Sequence, residues 1–143
     1  MDKIHFIARA YIRDEDYILI ADTGTHLFLP GGHVKYKESM HSALLRELRE
    51  EMMVTDLKIG NFIGVVENIW GNSGNPFHEF CAVFQVASNN FLKSREIKSK
   101  EAHLKFYWTK FNQLEKLGFL PKGIYSLLKQ YEKISQPSFL SLI

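Results

Sequence analysis

The sequence has little cysteine and no long apolar run. Cys81 is the single cysteine among 143 residues, so no intramolecular disulfide can form. A reduced chain suits a cytoplasmic protein, and we expect Cys81, which lies in an apolar run, to be a buried and unreactive thiol. No segment reaches the roughly 18 apolar residues that a membrane-spanning helix needs, and the N-terminus lacks the apolar core of a signal peptide. We therefore expect no membrane partner.

A strong excess of one charge is also missing. The chain has 18 Lys and Arg against 16 Asp and Glu, a net charge of +2. This is too small for bulk electrostatics to attract nucleic acid, which is therefore not an expected partner. Hydrophobic residues make up 45% of the chain, enough for a core, and we predict a single domain over residues 1–143.

The order of patterned segments predicts an α+β fold with a mixed sheet and helices packed on it. Segments rich in β-branched and aromatic residues predict strands at IHFIARAYI, YILIAD, HLFLP, LKIGNFIGVVENIW, FHEFCAVFQVA and LKFYWTKF. Ser39 is a favourable N-cap for a helix that runs to about Met52, and Pro121 favours the start of the last helix. The C-terminal SFLSLI should pack on the domain or on a second subunit, so a homodimer stays open.

Charge is concentrated in one segment that follows a glycine turn, PGGHVKYKESMHSALLRELREEMMV, residues 30–54. On a helical wheel Glu47, Glu50 and Glu51 form one stripe, which borders the apolar stripe of the same helix. Like charges three and four residues apart repel, so a cationic group should balance them. Two interpretations are open: the two arginines of this helix neutralise a solvated face, or a hard divalent cation binds the carboxylates.

The spacing in this segment resembles the Nudix box, G-x5-E-x7-R-E-U-x-E-E-x-G-U, where U is a bulky aliphatic residue. The matching residues are Gly32, Glu38, Arg46, Glu47, Leu48, Glu50, Glu51 and Val54. Met53 departs from the pattern, because the family has glycine there. The order of strands and helices also resembles the Nudix α/β/α sandwich, with a mixed β-sheet between helices, over nearly the whole chain.

The resemblance implies a hydrolase of diphosphate linkages with Mg²⁺ or Mn²⁺ as cofactor, which neutralises the pyrophosphate charge and activates an attacking water. The implied metal ligands are Glu47, Glu50, Glu51 and a backbone carbonyl of Gly31 or Gly32. Glu38 and Arg46 would form a structural ion pair. The candidates for the catalytic general base are Glu47, Glu50, Glu79 and Glu101.

Other residues are candidates for substrate binding, namely Arg9, Gly31, Gly32, His33 and Lys35. Arg9 could grip a phosphate from the first strand or occupy a surface position, and Lys35 could hold substrate oxygens or be solvated. Three aromatic residues could stack a base or belong to the core: Phe28, Trp70 and Phe77.

With methionine at position 53, the C-terminal end of the helix could adopt either of two conformations. A left-handed conformation in place of the family's glycine would cost methionine about 1 kcal/mol. Alternatively the helix ends differently, with Thr55 and Asp56 forming the turn. Neither removes a metal ligand.

The substrate class is less constrained. The proline typical of ADP-ribose hydrolases and the tyrosine typical of dinucleoside polyphosphate hydrolases are both absent where the chain reads NIW and GNSGN. We therefore expect a nucleoside triphosphate pyrophosphohydrolase that releases a nucleoside monophosphate and pyrophosphate. The alternatives are hydrolysis of ADP-ribose, nucleotide sugars or dinucleotides, removal of an RNA 5′ cap, and a non-catalytic module that senses a nucleotide.

Overall fold

The computed structural model describes residues 2–72, 74–118 and 122–143. The strands are β1 (Ile4–Tyr11), β2 (Arg13–Asp14), β3 (Tyr17–Asp22), β4 (Leu27–Phe28), β5 (Gly31–His33), β6 (Lys58–Trp70), β7 (Phe77–Ala87), β8 (Lys105–Lys110) and β9 (Ser138–Ser141). The helices are α1 (Met40–Glu51), α2 (Leu114–Leu117) and α3 (Ile124–Ile134), and a 3₁₀ turn covers Phe111–Gln113. Pro121, predicted at the start of the last helix, lies outside the described residues.

The strands form two sheets. The larger sheet has the order β5-β1-β7-β6-β9 and is mixed, because β1–β7 and β6–β9 are parallel pairs while β1–β5 and β6–β7 are antiparallel. In the smaller sheet β3 pairs with β8 along its whole length and also with the short strands β2 and β4. The predicted mixed sheet is confirmed.

Helices cover both faces of the larger sheet, as the α/β/α sandwich requires. Side chains alternate along β1, so Ala8 and Ala10 join the core beneath α1, while Ile7 and Tyr11 join the core beneath α3. Arg9 lies between these last two positions and so shares the α3 face. The alternation therefore decides which side chains of β1 can approach which helix.

Helix α1 begins as its sequence predicts, because the Ser39 hydroxyl oxygen accepts a hydrogen bond from the Ser42 N–H at 3.0 Å. Its apolar stripe is buried, with Ala43, Leu44 and Leu48 inaccessible to solvent. Burying these side chains against the sheet holds the helix in place and leaves the carboxylate stripe at the edge of the buried face.

The end of α1 does not use a left-handed residue. Met52 is extended, at φ −113° and ψ 151°, and pairs with Ser99 in an antiparallel bridge. The Met53 N–H donates to the Lys98 carbonyl at 3.3 Å, and Met53 has no positive φ. The left-handed alternative is therefore wrong. The predicted turn at residues 55–56 is also not formed, because residues 54–57 lead into β6 without one.

The C-terminal segment packs on the domain as a strand. Ser138–Ser141 forms β9 and pairs with β6 in parallel, with Ser138 opposite Gly64. Cys81 is buried, as predicted, and burial raises the pKa of its thiol to about 12. None of the helices in the described residues is long and apolar enough to cross a membrane.

Candidate active site

Arg46 joins the glycine loop to helix α1. Its guanidinium binds both oxygens of Glu38, with Nε–Oε2 at 2.7 Å and Nη2–Oε1 at 3.0 Å, and also donates to the His33 carbonyl at 3.0 Å. The Lys35 backbone N–H donates to Glu38 Oε1 at 3.0 Å. These hydrogen bonds, those of Arg46 first, hold the pKa of Glu38 at about 2, well below its usual range. The loop and the helix therefore keep one relative position.

The same arginine reaches two residues of the carboxylate stripe. Arg46 Nη1 donates to Glu47 Oε1 at 3.0 Å and to Glu50 Oε2 at 3.4 Å. The Glu47 side chain is 18% exposed whereas that of Glu50 is 54% exposed. Arg46 thus neutralises part of the negative charge of the carboxylate stripe. Within that stripe, Glu50 lies on the solvent side.

Among the described residues, Glu51 forms no ion pair comparable to that of Glu47 with Arg46. Burial first, then a hydrogen bond with Glu47 and the negative charge of Glu47, raises the pKa of Glu51 to about 8. The positive charge of Arg9 opposes this rise, and the charge of Glu101 adds to it. Glu47 and Glu51 therefore form a crowded carboxylate pair for which the fold supplies too little positive charge.

Two glycines allow the chain to approach this pair. A Cβ on Gly32 would lie 2.5 Å from the carboxylate carbon of Glu47, so any other residue would force that side chain to shift. Gly31 has φ +137°, where a side chain would collide with the Ala8 backbone. The double glycine therefore brings backbone groups of β5 beside Glu47.

A divalent cation suits this donor set. In the parts of the chain that the structure describes, no three His, Cys, Asp or Glu side chains already stand together as a metal site. The paired carboxylates of Glu47 and Glu51 are nevertheless the oxygen ligands that Mg²⁺ and Mn²⁺ prefer, and their mutual repulsion is what a cation would relieve. Glu50 is turned towards Arg46 and would have to leave it to join them.

Arg9 supports the glycine loop from the α3 face. Its Nη1 donates to the carbonyls of Leu29 at 3.2 Å and Gly31 at 3.0 Å, and the guanidinium lies 4.7 Å from the centroid of the Phe28 ring. Its Nε is buried without a hydrogen-bond partner among the described residues. The structure thus gives Arg9 a contact with the loop that leads into β5, which sequence reasoning did not anticipate.

His33 and Lys35 flank the loop. The pKa of His33 is lowered by partial burial and by the charges of His5 and Arg9, while the charge of Glu47 acts in the opposite direction. The Lys35 side chain is exposed. Both residues lie on the segment that Arg46 fastens to the helix, so the structure brings them to the candidate site.

A distant loop docks on the end of α1 and carries Glu101. The Lys100 N–H donates to the Glu51 carbonyl at 2.8 Å, and its Nζ donates to the Arg49 carbonyl at 2.8 Å. Ser99 Oγ accepts from the Glu101 N–H at 3.0 Å, which holds Glu101 in the same loop. Sequence reasoning missed Lys100, since nothing in the local pattern relates a lysine in a polar loop to a helix about fifty residues earlier.

Glu79 belongs to a strand of the larger sheet and not to the glycine loop, helix α1 or the loop that carries Lys100. It is 3% exposed on β7, opposite His5 of β1 and Asn68 of β6. The pKa of Glu51 is raised by burial first and then by Glu47, with a smaller contribution from the charge of Glu101, whereas the charge of Arg9 lowers it. The two downstream candidates for a general base therefore lie on different elements, Glu101 in the loop that docks on the end of α1 and Glu79 on the α3 face of the larger sheet.

Comparison with known protein families identifies the family to which the chain belongs. A family model described as the NUDIX domain matches residues 3–131. The chain belongs to the Nudix family. The Nudix box is thus the segment in which Arg46 links the glycine loop to α1. Met53 replaces the last glycine of the box, and its N–H donates to the Lys98 carbonyl in the loop that docks on the end of α1.

Solved structures share the Nudix fold at low sequence identity. A MutT protein from Bacillus halodurans is 16% identical with a TM-score of 0.71, covering 96% of this chain and 88% of that one. A MutT protein from Methanosarcina mazei Go1 is 19% identical with a TM-score of 0.69, covering 93% and 96%. An ADP-ribose pyrophosphatase from Streptococcus suis is 16% identical with a TM-score of 0.61, covering 96% and 98%. A search of curated proteins finds no significant match.

Proposed function

We propose that this Nudix protein hydrolyses a diphosphate linkage in nucleoside triphosphates, with Mg²⁺ or Mn²⁺, and releases a nucleoside monophosphate and pyrophosphate. The observation that carries the proposal is the crowded pair of Glu47 and Glu51 beside Gly32, where burial first and then Glu47 raises the pKa of Glu51 to about 8. A bound divalent cation would supply that charge and neutralise the diphosphate.

The residues of the chain have separate tasks in this proposal. Glu47, Glu51 and, after release from Arg46, Glu50 would hold the cation, with a backbone oxygen of Gly31 or Gly32. Arg46 and Glu38 keep the loop and the helix in one geometry, since their hydrogen bonds connect the two. Fixed geometry matters because small displacements of reacting groups cost large factors in rate.

We assign the general base to Glu101 in preference to Glu79. Glu101 lies in the loop that Lys100 fastens to the end of α1, and its charge acts on Glu51. A base in this position could take a proton from a water beside the carboxylate pair. His33 and Lys35 would contact phosphate oxygens from the loop, and Arg9 would act mainly by holding the loop.

The choice of substrate rests on the sequence, because the fold alone does not select one. Structural neighbours with fewer than 25% identical residues include proteins named as MutT, as an ADP-ribose pyrophosphatase and as a UDP-X diphosphatase. The absence of the ADP-ribose and dinucleotide markers favours triphosphates. We also propose a cytoplasmic location.

A substrate panel tests the proposal. Formation of the mononucleotide products would be measured by chromatography for nucleoside triphosphates, ADP-ribose, a nucleotide sugar and a dinucleoside polyphosphate, with Mg²⁺ or Mn²⁺. We expect triphosphates to be cleaved fastest, and Glu51→Gln to reduce kcat by at least about 100-fold. Glu101→Gln should reduce it by about 10² to 10⁴. Glu115→Gln, an exposed glutamate on α2, is the matched control.

Three results would contradict the proposal. If no diphosphate is cleaved although a nucleotide binds tightly, the chain is a sensing module. If ADP-ribose or a dinucleotide is cleaved much faster than every triphosphate, the substrate assignment is wrong. If Glu51→Gln leaves the rate unchanged, the assigned metal ligands are wrong.

A further inference from the structure

Helix α1 covers only part of its face of the larger sheet. The helix packs over β1 and β5, and the edge of its His41 ring meets the Phe84 ring of β7 at 5.0 Å between centroids. On the opposite face α3 packs against β6 and β9. The part of the α1 face formed by β6, β9 and the first residues of β1 therefore lies beyond α1, as the exposure of its side chains shows.

Large apolar side chains are concentrated on this uncovered part. Phe139 of β9 is opposite Val65, which packs on the core beneath α1, while the next residue, Leu140, packs on the core beneath α3. Phe6 alternates with Ile7 and so shares the face of Ala8. Five side chains of this face are between 40% and 61% exposed, and together they are called the apolar face: Ile4, Phe6, Phe62, Ile69 and Phe139.

The apolar face is continuous across the strands. The Phe6 ring stacks on the partly exposed Phe80 ring of β7, with centroids 5.7 Å apart. The Phe62 ring lies 5.3 Å from that of Phe84. Single exposed apolar residues are ordinary on protein surfaces, but a contiguous patch of large ones marks a contact with another surface.

Glu67 is the one charged strand residue on this face. It follows Val66, which packs on the core beneath α3, so its side chain points to the α1 side, opposite Phe80. It is partly buried and forms no ion pair with the described residues. An anionic membrane surface attracts clusters of Lys and Arg, which the strands do not place here.

We propose that the apolar face binds a second copy of this chain, so that two protomers pack sheet against sheet about a two-fold axis. An aromatic side chain buries about 150–250 Å² when it is fully covered, so five half-exposed large side chains offer roughly 500 Å². A two-fold contact uses the same surface of both copies and reaches roughly 1,000 Å², the lower limit for a specific interface. This inference goes beyond the proposed hydrolysis and does not depend on it.

The geometry and the charge of the face set the strength of the contact. Sheet faces pack against each other about 10 Å apart, so a pleated surface of this kind can receive its own copy. The contact also removes Glu67 from water without a cation to pair with, which is costly. The dimer is therefore weak, and its population depends on the protein concentration.

Sedimentation velocity tests the contact over a concentration series that reaches about 500 μM. We expect the mass to rise from that of one chain to that of two. Phe139→Glu should raise the dissociation constant at least about 100-fold, because the two-fold axis places the buried charge in the contact twice. Ile134→Glu is the matched control, since Ile134 is 45% exposed at the end of α3, and it should leave the mass unchanged.

A second pair of variants separates loss of the contact from loss of the fold. Circular dichroism checks that each variant is folded, and Phe6→Glu, on another strand, takes the place of Phe139→Glu if that variant unfolds. Glu67→Gln should strengthen the association by about 10-fold, because it removes the charge that the contact buries. A misfolded variant would not give this result.

Four results would overturn the proposal. These are a wild type that stays monomeric at the highest concentration, an equal effect of Phe139→Glu and Ile134→Glu, and no effect of Glu67→Gln. The fourth is a monomer that binds vesicles of anionic phospholipid through Phe139, which would assign the face to a membrane. None of these measurements uses hydrolysis, so each result leaves the proposed function as it stands.

Discussion

Arg46 and Glu38, which are eight residues apart in the sequence, form a bidentate ion pair with Nε–Oε2 at 2.7 Å and Nη2–Oε1 at 3.0 Å. The guanidinium also binds the His33 carbonyl, so one side chain connects the start of the box to its helix. The geometry of the loop beside Glu47 depends on this contact.

Arg46→Lys should impair activity more than a conservative replacement normally would. An ammonium group cannot reproduce the planar fork that binds both oxygens of Glu38, so the loop would lose its fixed position. We expect kcat/KM to fall by about 10- to 100-fold, the usual effect of removing a residue that orients a ligand. Arg49→Lys on the exposed side of the same helix is the control, and an equal effect of both changes would contradict the role of the fork.

Glu38→Gln should change the pH dependence of stability. The pKa of Glu38 is lowered from 4.5 to about 2 in the folded protein, so the folded state binds this proton less readily than the unfolded state. Its contribution is present above about pH 4.5 and is lost as the pH falls towards 2. We expect the variant to melt below the wild type at pH 7, with the difference shrinking in acid. Thermal melts from pH 2 to 7 measure this, and a difference independent of pH would refute it.

Gly32→Ala should damage the site with little effect on the rest of the fold. The added methyl group would lie 2.5 Å from the Glu47 carboxylate carbon, so Glu47 must move. We expect metal-dependent activity to fall by at least about 100-fold. Gly60→Ala is the matched control, because its methyl group would meet neighbours only at 3.6 Å and beyond and φ is not positive. Equal activities of the two variants would show that Glu47 needs no such precise position.

Glu51→Gln should stabilise the metal-free protein at alkaline pH. The folded-state pKa of Glu51 is raised from 4.5 to about 8, so the folded state holds this proton more tightly and its contribution to stability falls as the pH rises between those values. In EDTA at pH 8 we expect the variant to melt above the wild type, and at pH 4.5 to match it. Added Mg²⁺ or Mn²⁺ should raise the melting temperature of the wild type but not of the variant. A variant that is stabilised equally by the metal would remove Glu51 from the ligand set.

Met53→Gly should not stabilise the protein, although it restores the family's residue. Met53 has no positive φ and Met52 is extended, so glycine has no strain to relieve and adds flexibility to the unfolded chain. We expect a loss of about 0.5–1 kcal/mol in the free energy of unfolding. Denaturant titration measures it, and a gain in stability would mean that the helix ends in a left-handed residue after all.

The local patterns predicted much of the fold and the core of the site. Ser39 and the apolar stripe predicted α1 because capping and burial act within a few residues of sequence. The spacing of Glu38, Arg46 and Glu47 matched the Nudix box because the residues that form the loop and helix are consecutive. The strand β9 was not predicted, since a short apolar terminus reveals its partner only when β6 is in place.

By itself the sequence determined the family, the carboxylate stripe and the loop that precedes it, because these depend on periodicity and spacing along one segment. Only the tertiary structure decided how the carboxylates differ. Glu50 lies on the solvent side of the helix beside Arg46, while packing buries Glu51 beside Glu47. Docking of the Lys100 loop on α1 is a contact between distant segments, which local patterns do not specify. It depends on which strands and loops pack together, and the packing brings the loop that carries Glu101 to the end of α1.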